Sequence, residues 1–404
     1  MSGDERLREE QTGTDHHLWL EDITGDDALD WVRKHNDPTV SALGSDRFEQ
    51  MRAEALEVLD TDARIPYVRR RGDYLYNFWR DAANPRGLWR RTTLESYRTE
   101  RPDWDVVLDV DALAAADDQN WVWAGARVIE PEFTLALVSL SRGGSDAAVV
   151  REFDMRTREF VENGFDVPEA KTQISWEDED SVLIGTDFGE DSLTDSGYPR
   201  LVKRWRRGQP LDEAETLFSG ASTDVIVAAS VDRTPGFRRT MLGRAIDFFN
   251  DENYELRRGE LIRIDAPTDA TVSAHRDWLL IELRTDWYTG GAHYLAGSLL
   301  AANYDEFLAG TAQLQVVFEP DEHTCLNHYA WTRDKLVVVT LADVASRVEV
   351  VTPGSWQAEP VLGLPENTNT VIAAADNYSD EVLLDSSGFD TPSRLLYGLS
   401  LIHI

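Results

Sequence analysis

Eight histidines could supply metal ligands, and the closest non-adjacent pair among them is His323 and His328. A separation of five residues does not place two side chains on one helix face, and only Asp321 and Glu322 add nearby carboxylates. A zinc site would need further cysteine, histidine or acidic ligands. We therefore predict no metal site and no other cofactor, and we interpret the adjacent histidines at positions 16–17 as solvated residues.

A run of four carboxylates at residues 177–180 could act as acid and base or bind calcium. Such a run inside a strand-rich sequence is more typical of a turn between blades, and we predict such a turn. The glycine pairs at 143–144 and 290–291 are also predicted to be turns, because neither opens a helix whose N-terminus could bind phosphate.

The charge balance excludes nucleic acid as a partner. The chain has 74 acidic and 40 basic residues and a formal net charge of −34, whereas nucleic-acid binding depends on clustered lysines and arginines. Nearly all positive charge is arginine, since only four lysines occur: Lys34, Lys171, Lys203 and Lys335. We interpret the excess acid as a solvated surface; the alternative is long-range attraction of cationic peptides.

The single cysteine, Cys325, cannot form an internal disulfide and fits a reducing compartment. Residues 1–15 are polar and acidic and lack the apolar stretch of a signal peptide, so we predict a disordered tail. No stretch approaches the length of a membrane-spanning helix. We expect a cytoplasmic protein with no membrane partner.

Residues 16–64 are expected to form a helical N-terminal segment. A first helix is predicted over 26–35, ending before Pro38 because proline cannot continue the hydrogen-bond ladder. A second is predicted after Ser45, a favourable N-cap. Its apolar residues recur at helical spacing: Phe48, Met51, Ala55 and Leu59. The apolar stripes of both helices need a partner surface.

From Ile65 onward, short apolar and aromatic runs broken by Asp, Gly, Asn and Pro indicate serial β-strands. A repeat consists of an acidic residue, a mostly apolar strand, a turn and a second strand. Its clearest copies begin at Asp73, Glu132, Asp180, Asp277, Asp334 and Asp380, and a degenerate copy occupies 237–242. Seven repeats of roughly fifty residues predict an all-β, seven-bladed β-propeller over 65–398.

Each predicted blade is a four-stranded sheet that cannot bury both faces alone, so neighbouring blades stack around a central channel. A closing strand is not evident after residues 393–397, and the last blade is therefore expected to be incomplete. The alternatives are less compatible with the repeat. A pair of β-sandwiches would show strands every ~8–12 residues without the longer period, and a solenoid would show a much shorter one.

Three stretches of sequence form a recognisable series. They are residues 17–22 followed by Trp31, Val32 and Asn36; residues 141–146 leading to 151–154; and residues 185–189 leading to 196–200 and 203–205. In this combination and order they resemble the prolyl oligopeptidase family of serine peptidases, in particular its bacterial members. The resemblance covers residues 18–398.

The resemblance implies that the N-terminal segment packs on a C-terminal α/β-hydrolase domain and that the propeller gates access of short peptides to it. In this family the hydrolase carries the Ser, Asp and His, with the nucleophile in G-x-S-x-G. That pentapeptide does not occur in the sequence; residues 185–189 have its outer glycines but Asp187 at the centre. We therefore assign no catalytic residue and expect the hydrolase domain to be the missing partner.

Residues 399–404 depart from the family pattern. They can be encoded by CTG-TCT-CTT-ATA-CAC-ATC, which matches the transposase mosaic-end adaptor of DNA library preparation. We expect a non-native, adaptor-derived tail and a gene that continues beyond it.

The leading hypothesis is the front part of a serine oligopeptidase that cleaves short peptides after proline, the fragment itself being inactive. A second hypothesis is a complete, non-enzymatic propeller that serves as a binding scaffold. A third is a propeller enzyme with a carboxylate or metal site in its own channel.

Overall fold

The computed structural model of the chain describes residues 15–22 and 24–400. The chain divides into two compact units, residues 1–64 and 65–404. The tail predicted at 1–15 and the adaptor-derived tail predicted at 399–404 lie mostly outside the described residues.

The first unit contains a 3₁₀-helix, Leu18–Glu21, and two α-helices, α1 (Asp26–Leu43) and α2 (Asp46–Leu59). The helix α2 begins where the N-cap predicts it, because the Ser45 Oγ accepts a hydrogen bond from the backbone N of Phe48 at 3.2 Å.

The predicted end of the first helix at His35 is wrong, because α1 continues through Pro38 to Leu43. Pro38 has no N–H to donate to the carbonyl of Lys34, yet this stretch of α1 is exposed, and water can satisfy the carbonyl. The hydroxyl of Thr39 also donates to the carbonyl of His35 at 3.1 Å. An exposed proline can therefore stay inside the helix.

Apolar side chains of the first unit remain in contact with solvent. Trp19 and Trp31 are 42% and 38% exposed, and Phe48 and Met51 of α2 are 50% and 56% exposed. The apolar residues whose spacing predicted these helices are therefore largely exposed to solvent.

The second unit is a seven-bladed β-propeller, which confirms the predicted fold class. Blade 1 contains β1 (Arg69–Arg71), β2 (Tyr74–Trp79), β3 (Leu88–Thr93) and β4 (Asp105–Asp109). Blade 2 contains β5 (Trp121–Val128), β6 (Leu135–Arg142), β7 (Ala148–Asp154), β8 (Glu159–Phe160) and β9 (Asp166–Ala170). Blade 3 contains β10 (Gln173–Asp178), β11 (Ser181–Gly185), β12 (Leu201–Arg206) and β13 (Glu215–Ser219). Blade 4 contains β14 (Ile226–Asp232), β15 (Arg239–Ala245), β16 (Asp251–Arg257) and β17 (Glu260–Arg263). Blade 5 contains β18 (Thr271–His275), β19 (Trp278–Glu282), β22 (Leu299–Asn303) and β23 (Gln315–Phe318). A hairpin of β20 (Trp287–Thr289) and β21 (Ala292–Tyr294) is inserted between β19 and β22. Blade 6 contains β24 (Thr324–Trp331), β25 (Leu336–Ala342), β26 (Ala345–Thr352) and β27 (Gln357–Pro360). Blade 7 contains β28 (Asn369–Ala375), β29 (Glu381–Ser387) and β30 (Arg394–Leu399).

Every predicted copy of the repeat marks the second strand of a blade: β2, β6, β11, β15, β19, β25 and β29. A second strand lies inside its sheet with a neighbouring blade on each face, so it reads as an apolar run without alternation. All five residues of β11 are buried, and β25 is buried at all but one position. The first strands face the channel and are mostly half-buried, as in β28, and Cys325 is exposed on the first strand β24.

Three blades depart from a plain four-stranded sheet. In blade 2 an additional strand, β9, pairs with β7, and in blade 5 the hairpin β20–β21 separates the second strand from the third. Blade 7 contains three strands among the described residues. Its strand β30 pairs with β29, and the backbone N of Ser400 donates to the carbonyl of Asp380 at 2.7 Å.

Short helices connect some strands of the second unit: α3 (Leu94–Tyr97), α4 (Val110–Asp117), a 3₁₀-helix (Leu211–Glu213) and α5 (Tyr304–Leu308). Within the described ranges, no helix has both the length and the apolar character needed to cross a membrane.

Blades 1 and 7 meet through side chains, since each forms a separate sheet. Arg70 on β1 forms an ion pair with Glu381 on β29. The hydroxyl of Tyr67 donates to Asp385 Oδ2 at 2.5 Å. Over the part of the chain that the structure describes, this contact contains polar side-chain pairs and no shared β-ladder.

Candidate functional site

The two histidines considered as metal ligands have separate partners. The Nδ1 of His323 lies 3.1 Å from Asp343 Oδ1, and the Nε2 of His328 accepts a hydrogen bond from the backbone N of Ile372 at 2.8 Å. The structure does not bring them together, and over residues 15–22 and 24–400 it contains no group of three or more His, Cys, Asp or Glu that could hold a metal ion.

The acidic run at 177–180 forms the end of β10 and the turn into β11. The prediction of a turn between blades is therefore wrong, because β10 and β11 are neighbouring strands of blade 3. Glu177 makes a two-pronged ion pair with Arg204, at 2.6 and 2.9 Å, and Asp178 Oδ1 accepts from the hydroxyl of Ser181 at 2.7 Å. These contacts fix strand ends and engage the carboxylates in local structure. The glycine pairs at 143–144 and 290–291 also lie in turns, all with positive φ.

The family-like stretches at 141–154 and 185–205 converge on the contact between blades 2 and 3. Lys171 lies 3.0 Å from Asp146 and 4.3 Å from the ring centroid of Tyr198. Deeper in this contact, the buried Glu152 accepts two hydrogen bonds from Arg207, at 2.8 and 2.9 Å. Two of the three stretches that carry the resemblance therefore contribute residues to the contact between these blades.

The turn between the first and second strands lies at the same end of the channel in every blade. We call these seven turns the mouth turns. They span residues 72–73, 129–134, 179–180, 233–238, 276–277, 332–335 and 376–380. They are rich in charged residues and bring together side chains that are distant in the sequence.

Neighbouring mouth turns are joined by ion pairs and hydrogen bonds. Arg276 of blade 5 lies 3.1 Å from Asp334 of blade 6. Arg333 of blade 6 lies 2.5 Å from Asp380 of blade 7. In blade 4, the guanidinium of Arg238 donates to the backbone carbonyl of Glu177 in blade 3 at 2.8 Å. These contacts connect successive blades around the mouth.

The mouth turn of blade 2 makes contacts that skip a blade. Glu132 pairs with Arg233 of blade 4 at 3.1 Å, passing blade 3. Glu130 accepts a hydrogen bond from the hydroxyl of Tyr378 of blade 7 at 3.0 Å, passing blade 1. Phe133 packs edge-on against the ring of Tyr378, with ring centroids 5.7 Å apart. One turn therefore reaches across the opening to both sides.

Burial and nearby charges shift the pKa values of Glu130 and Tyr378 in this contact. Glu130 touches solvent, yet protein surrounds it on several sides, and this partial burial raises the pKa of its carboxyl group. The nearby carboxylates of Asp376 and Asp232 raise that pKa further, while the Tyr378 hydrogen bond and Arg71 oppose the rise. Burial and the charge of Glu130 also raise the pKa of the Tyr378 phenol.

The arrangement consists of opposed charges and one aromatic contact between turns that face one another across the mouth. The sequence interpretation did not identify these residues, although a signal existed. In blades 2, 5, 6 and 7 they include, or lie within two residues of, the acidic residue that begins the copy of the repeat: Glu132, Asp277, Asp334 and Asp380.

Comparison with known proteins agrees with this architecture. Residues 5–239, more than half of the chain, match the family model described as "Prolyl oligopeptidase, N-terminal beta-propeller domain". An uncharacterized peptidase, y4nA of Sinorhizobium fredii, is 36% identical over 397 residues, which cover 95% of this chain and 54% of the relative. The chain therefore spans about half the length of that curated relative.

Solved structures show the same fold. A post-proline cleaving enzyme from Rickettsia typhi superposes with a TM-score of 0.87 at 27% identity, covering 95% of this chain and 58% of that one. Oligopeptidase B from Leishmania major gives a TM-score of 0.72 at 15% identity, covering 96% and 55%, and supports the fold alone. On the family match and the similarity to the curated peptidase, the chain belongs to the prolyl oligopeptidase family, of which it forms the N-terminal propeller part.

Proposed function

We propose that this propeller is the substrate gate of a serine oligopeptidase that cleaves short peptides after proline. The observation that carries the proposal is the blade 2 mouth turn, which spans the opening through Glu130–Tyr378 and Glu132–Arg233. Such a mouth admits peptides that fit between these side chains and excludes folded proteins. The post-proline preference is supported by the relative from Rickettsia typhi, which is described as a post-proline cleaving enzyme.

The chemistry would come from a C-terminal α/β-hydrolase domain of the whole protein, using a serine nucleophile and an acyl-enzyme intermediate. We propose that this domain covers the end of the propeller opposite the mouth turns. There the connections from second to third strand expose large apolar side chains in four successive blades: Phe248 and Phe249, Tyr288, Val344, and Phe389. Exposed apolar residues at one end favour a protein partner. A cytoplasmic location remains part of the proposal.

The first experiment tests the chemistry. Sequencing of genomic DNA downstream of codon 398 is expected to show an open frame that encodes G-x-S-x-G, then Asp, then His. The 404-residue chain is expected to give no turnover of a chromogenic Gly-Pro peptide and no labelling by a serine-directed phosphonate, whereas the longer product gives both. A stop codon in the genomic DNA after position 404, or turnover by the short chain, would contradict the proposal.

The second experiment tests the gate in that longer product. The double variant Tyr378→Phe with Arg233→Gln removes both polar contacts across the mouth and keeps the ring contact between positions 133 and 378. We expect kcat/KM for a peptide of about thirty residues to rise severalfold relative to a short chromogenic peptide. The matched control is Tyr254→Phe with Arg263→Gln, which removes a hydrogen bond and an ion pair to Glu252 in blade 4. An unchanged ratio in the mouth variant would show that this mouth does not select substrates.

A further inference from the structure

The first strand of blade 1 places three consecutive arginines on the channel wall. Side chains alternate along a strand, so Arg69 and Arg71 lie on one side and Arg70 on the other. Arg70 pairs with Glu381 of blade 7. Arg71 lies on the blade 2 side, where its guanidinium carbon is 5.3 Å from the ring centroid of Tyr76 and 5.5 Å from that of Trp89.

Neither Arg69 nor Arg71 has a carboxylate within 4.0 Å or a side-chain hydrogen bond among the residues that the structure describes. This is unusual in a chain with 74 acidic residues, in which other half-buried arginines such as Arg204 have close acidic partners. Burial lowers the pKa of Arg71 to about 10. Tyr76 and the more distant Glu130 act in the opposite direction but only partly offset this lowering. The guanidinium therefore keeps unused N–H donors in a half-buried position.

Both arginines line a cavity of about 580 Å³ between blades 1 and 2. Its other walls include aromatic side chains: Tyr76, Phe78, Trp89 and Trp123. The strand β5 bulges between Trp123 and Gly125, and a Cβ built on Gly125 would meet nothing within 4 Å. A bulge of this kind redirects a strand beside a cavity. The cavity thus joins two cationic groups to an aromatic wall.

We propose that this cavity binds the C-terminal residue of a peptide, with its free carboxylate on Arg69 and Arg71 and an apolar side chain against the aromatic wall. The inference rests on the proposed function, since it specifies which peptides the channel retains. A guanidinium matches a carboxylate through two parallel N–H···O bonds, and such charge-assisted bonds are stronger than neutral ones.

The net charge of the protein does not oppose this binding at short range. Repulsion from a surface of formal charge −34 is screened beyond roughly 8 Å at physiological ionic strength, whereas the arginines act in direct contact. An anionic molecule without an apolar side chain gains nothing from the aromatic wall of the cavity. A peptide end that combines both features is the ligand that fits.

The test is isothermal titration calorimetry of the 404-residue chain with three capped peptides. Acetyl-Ala-Pro-Phe with a free carboxylate is expected to bind about tenfold more tightly than its C-terminal amide. The amide of acetyl-Asp-Pro-Phe offers a side-chain carboxylate instead and is expected to bind as weakly as the first amide. Arg71→Gln and Arg69→Gln should each reduce the preference for the acid. The control is Arg347→Gln, an exposed arginine on β26 of blade 6.

The outcomes separate this inference from the proposed function. Equal binding of acid and amide would overturn the carboxylate site and leave the gate unaffected. Tight binding of the acetyl-Asp-Pro-Phe amide would overturn the assignment to a chain end, and binding of none of the peptides would overturn the site altogether. If Arg71→Gln fails to fold, as judged by circular dichroism, Arg69→Gln and the wild-type comparison of acid with amide still decide the question.

Discussion

Glu130 and Tyr378 carry a protonation-dependent contact at the mouth. The carboxyl group of Glu130 has a raised pKa because it is partly buried and lies near Asp376 and Asp232. A folded-state pKa above the ordinary value means that stability falls as the pH rises through the interval between the two values. The charged form of Glu130 is therefore a cost to the fold at neutral pH, and Tyr378 reduces that cost.

Glu130→Gln is expected to remove this cost, since glutamine can still accept the hydrogen bond from Tyr378. The variant should be more stable than the wild type at pH 8, and the difference should vanish toward pH 4, where the wild-type carboxyl is protonated. Thermal unfolding measured across this pH range checks the prediction. Glu162→Gln, at an exposed position, serves as control. A stability gain that is the same at pH 4 and pH 8 would contradict the assignment to ionisation.

The ion pair between Glu152 and Arg207 predicts a larger effect on stability. The Glu152 side chain is only 1% exposed, and it also accepts from the backbone N of Phe165 at 2.8 Å. Glu152→Gln removes the buried partner of Arg207, which keeps the exposed Asp180 as an acidic partner at 3.3 Å. The change should lower the free energy of unfolding by about 2–4 kcal/mol, less than for a fully buried pair because Arg207 is 30% exposed.

Denaturation in urea measures the effect of Glu152→Gln. The control is Arg156→Gln, because the arginine in the pair with Asp154 is 68% exposed and water weakens that pair, so the variant should cost much less stability. Equal costs for the two variants would show that burial does not set the strength of these pairs.

At the scale of the strand, the position of a strand within its blade explains why first strands were harder to predict than second strands. A second strand is covered on both faces, so its residues are uniformly apolar, and all seven copies were identified in the sequence. A first strand borders the channel and mixes exposed with half-buried residues, as β5 does between Trp121 and Val128. The turns that follow first strands carry the mouth side chains, and these polar residues do not recur with a regular hydrophobic spacing.

The bulge at Gly125 gives a prediction about backbone conformation. Gly125 has a φ of 127°, a region that residues with a Cβ rarely adopt, while no atom stands in the way of the added methyl group. Gly125→Ala should therefore destabilise the propeller by about 1–3 kcal/mol through backbone strain alone. Gly243→Ala on β15 is the control, because its φ is not in that region and its Cβ would lie 3.4 Å from Asn253 Oδ1. Urea midpoints of both variants test the prediction, and similar values would refute the strain.

At the scale of the whole molecule, the contact between blades 1 and 7 closes the ring. It depends on the Arg70–Glu381 ion pair and the Tyr67–Asp385 hydrogen bond. The second oxygen of Asp385, Oδ1, is buried without a hydrogen-bond partner, so its carboxylate depends on Tyr67. The ring is therefore sensitive to the loss of a single hydroxyl group.

Tyr67→Phe should lower the free energy of unfolding at pH 7 by about 1–3 kcal/mol, because it leaves the Asp385 carboxylate without a donor. The hydrogen bond to Asp385, followed by burial, raises the pKa of Tyr67 to about 12 from its ordinary 10.0. Stability is then lost as the pH rises from 10 to 12, and the variant should lose less over that range. Thermal unfolding between pH 7 and pH 12 measures both effects.

Tyr288→Phe, at an exposed tyrosine, is the control for the alkaline range. An alkaline slope that is as steep in Tyr67→Phe as in the wild type would place the pH dependence in other tyrosines.

Most of the propeller architecture could be predicted from the sequence, whereas the contacts between the mouth turns could not. Repeats and the N-cap at Ser45 were read correctly, because burial and capping leave local signatures. The helix end at His35 was predicted wrongly, since solvent exposure makes Pro38 tolerable and exposure is not visible in a local pattern. The contacts of Glu130 and Arg71 depend on which blades face one another, and only the closed ring reveals them.

The exposed position of Cys325 on β24 has a practical consequence. It is the single cysteine of the chain, so a fluorophore or nitroxide attached to a thiol marks one site without prior removal of others. That site is on a channel-lining strand of blade 6. The native sequence therefore already supports spectroscopic measurement of how the inner wall of the ring moves when a peptide enters.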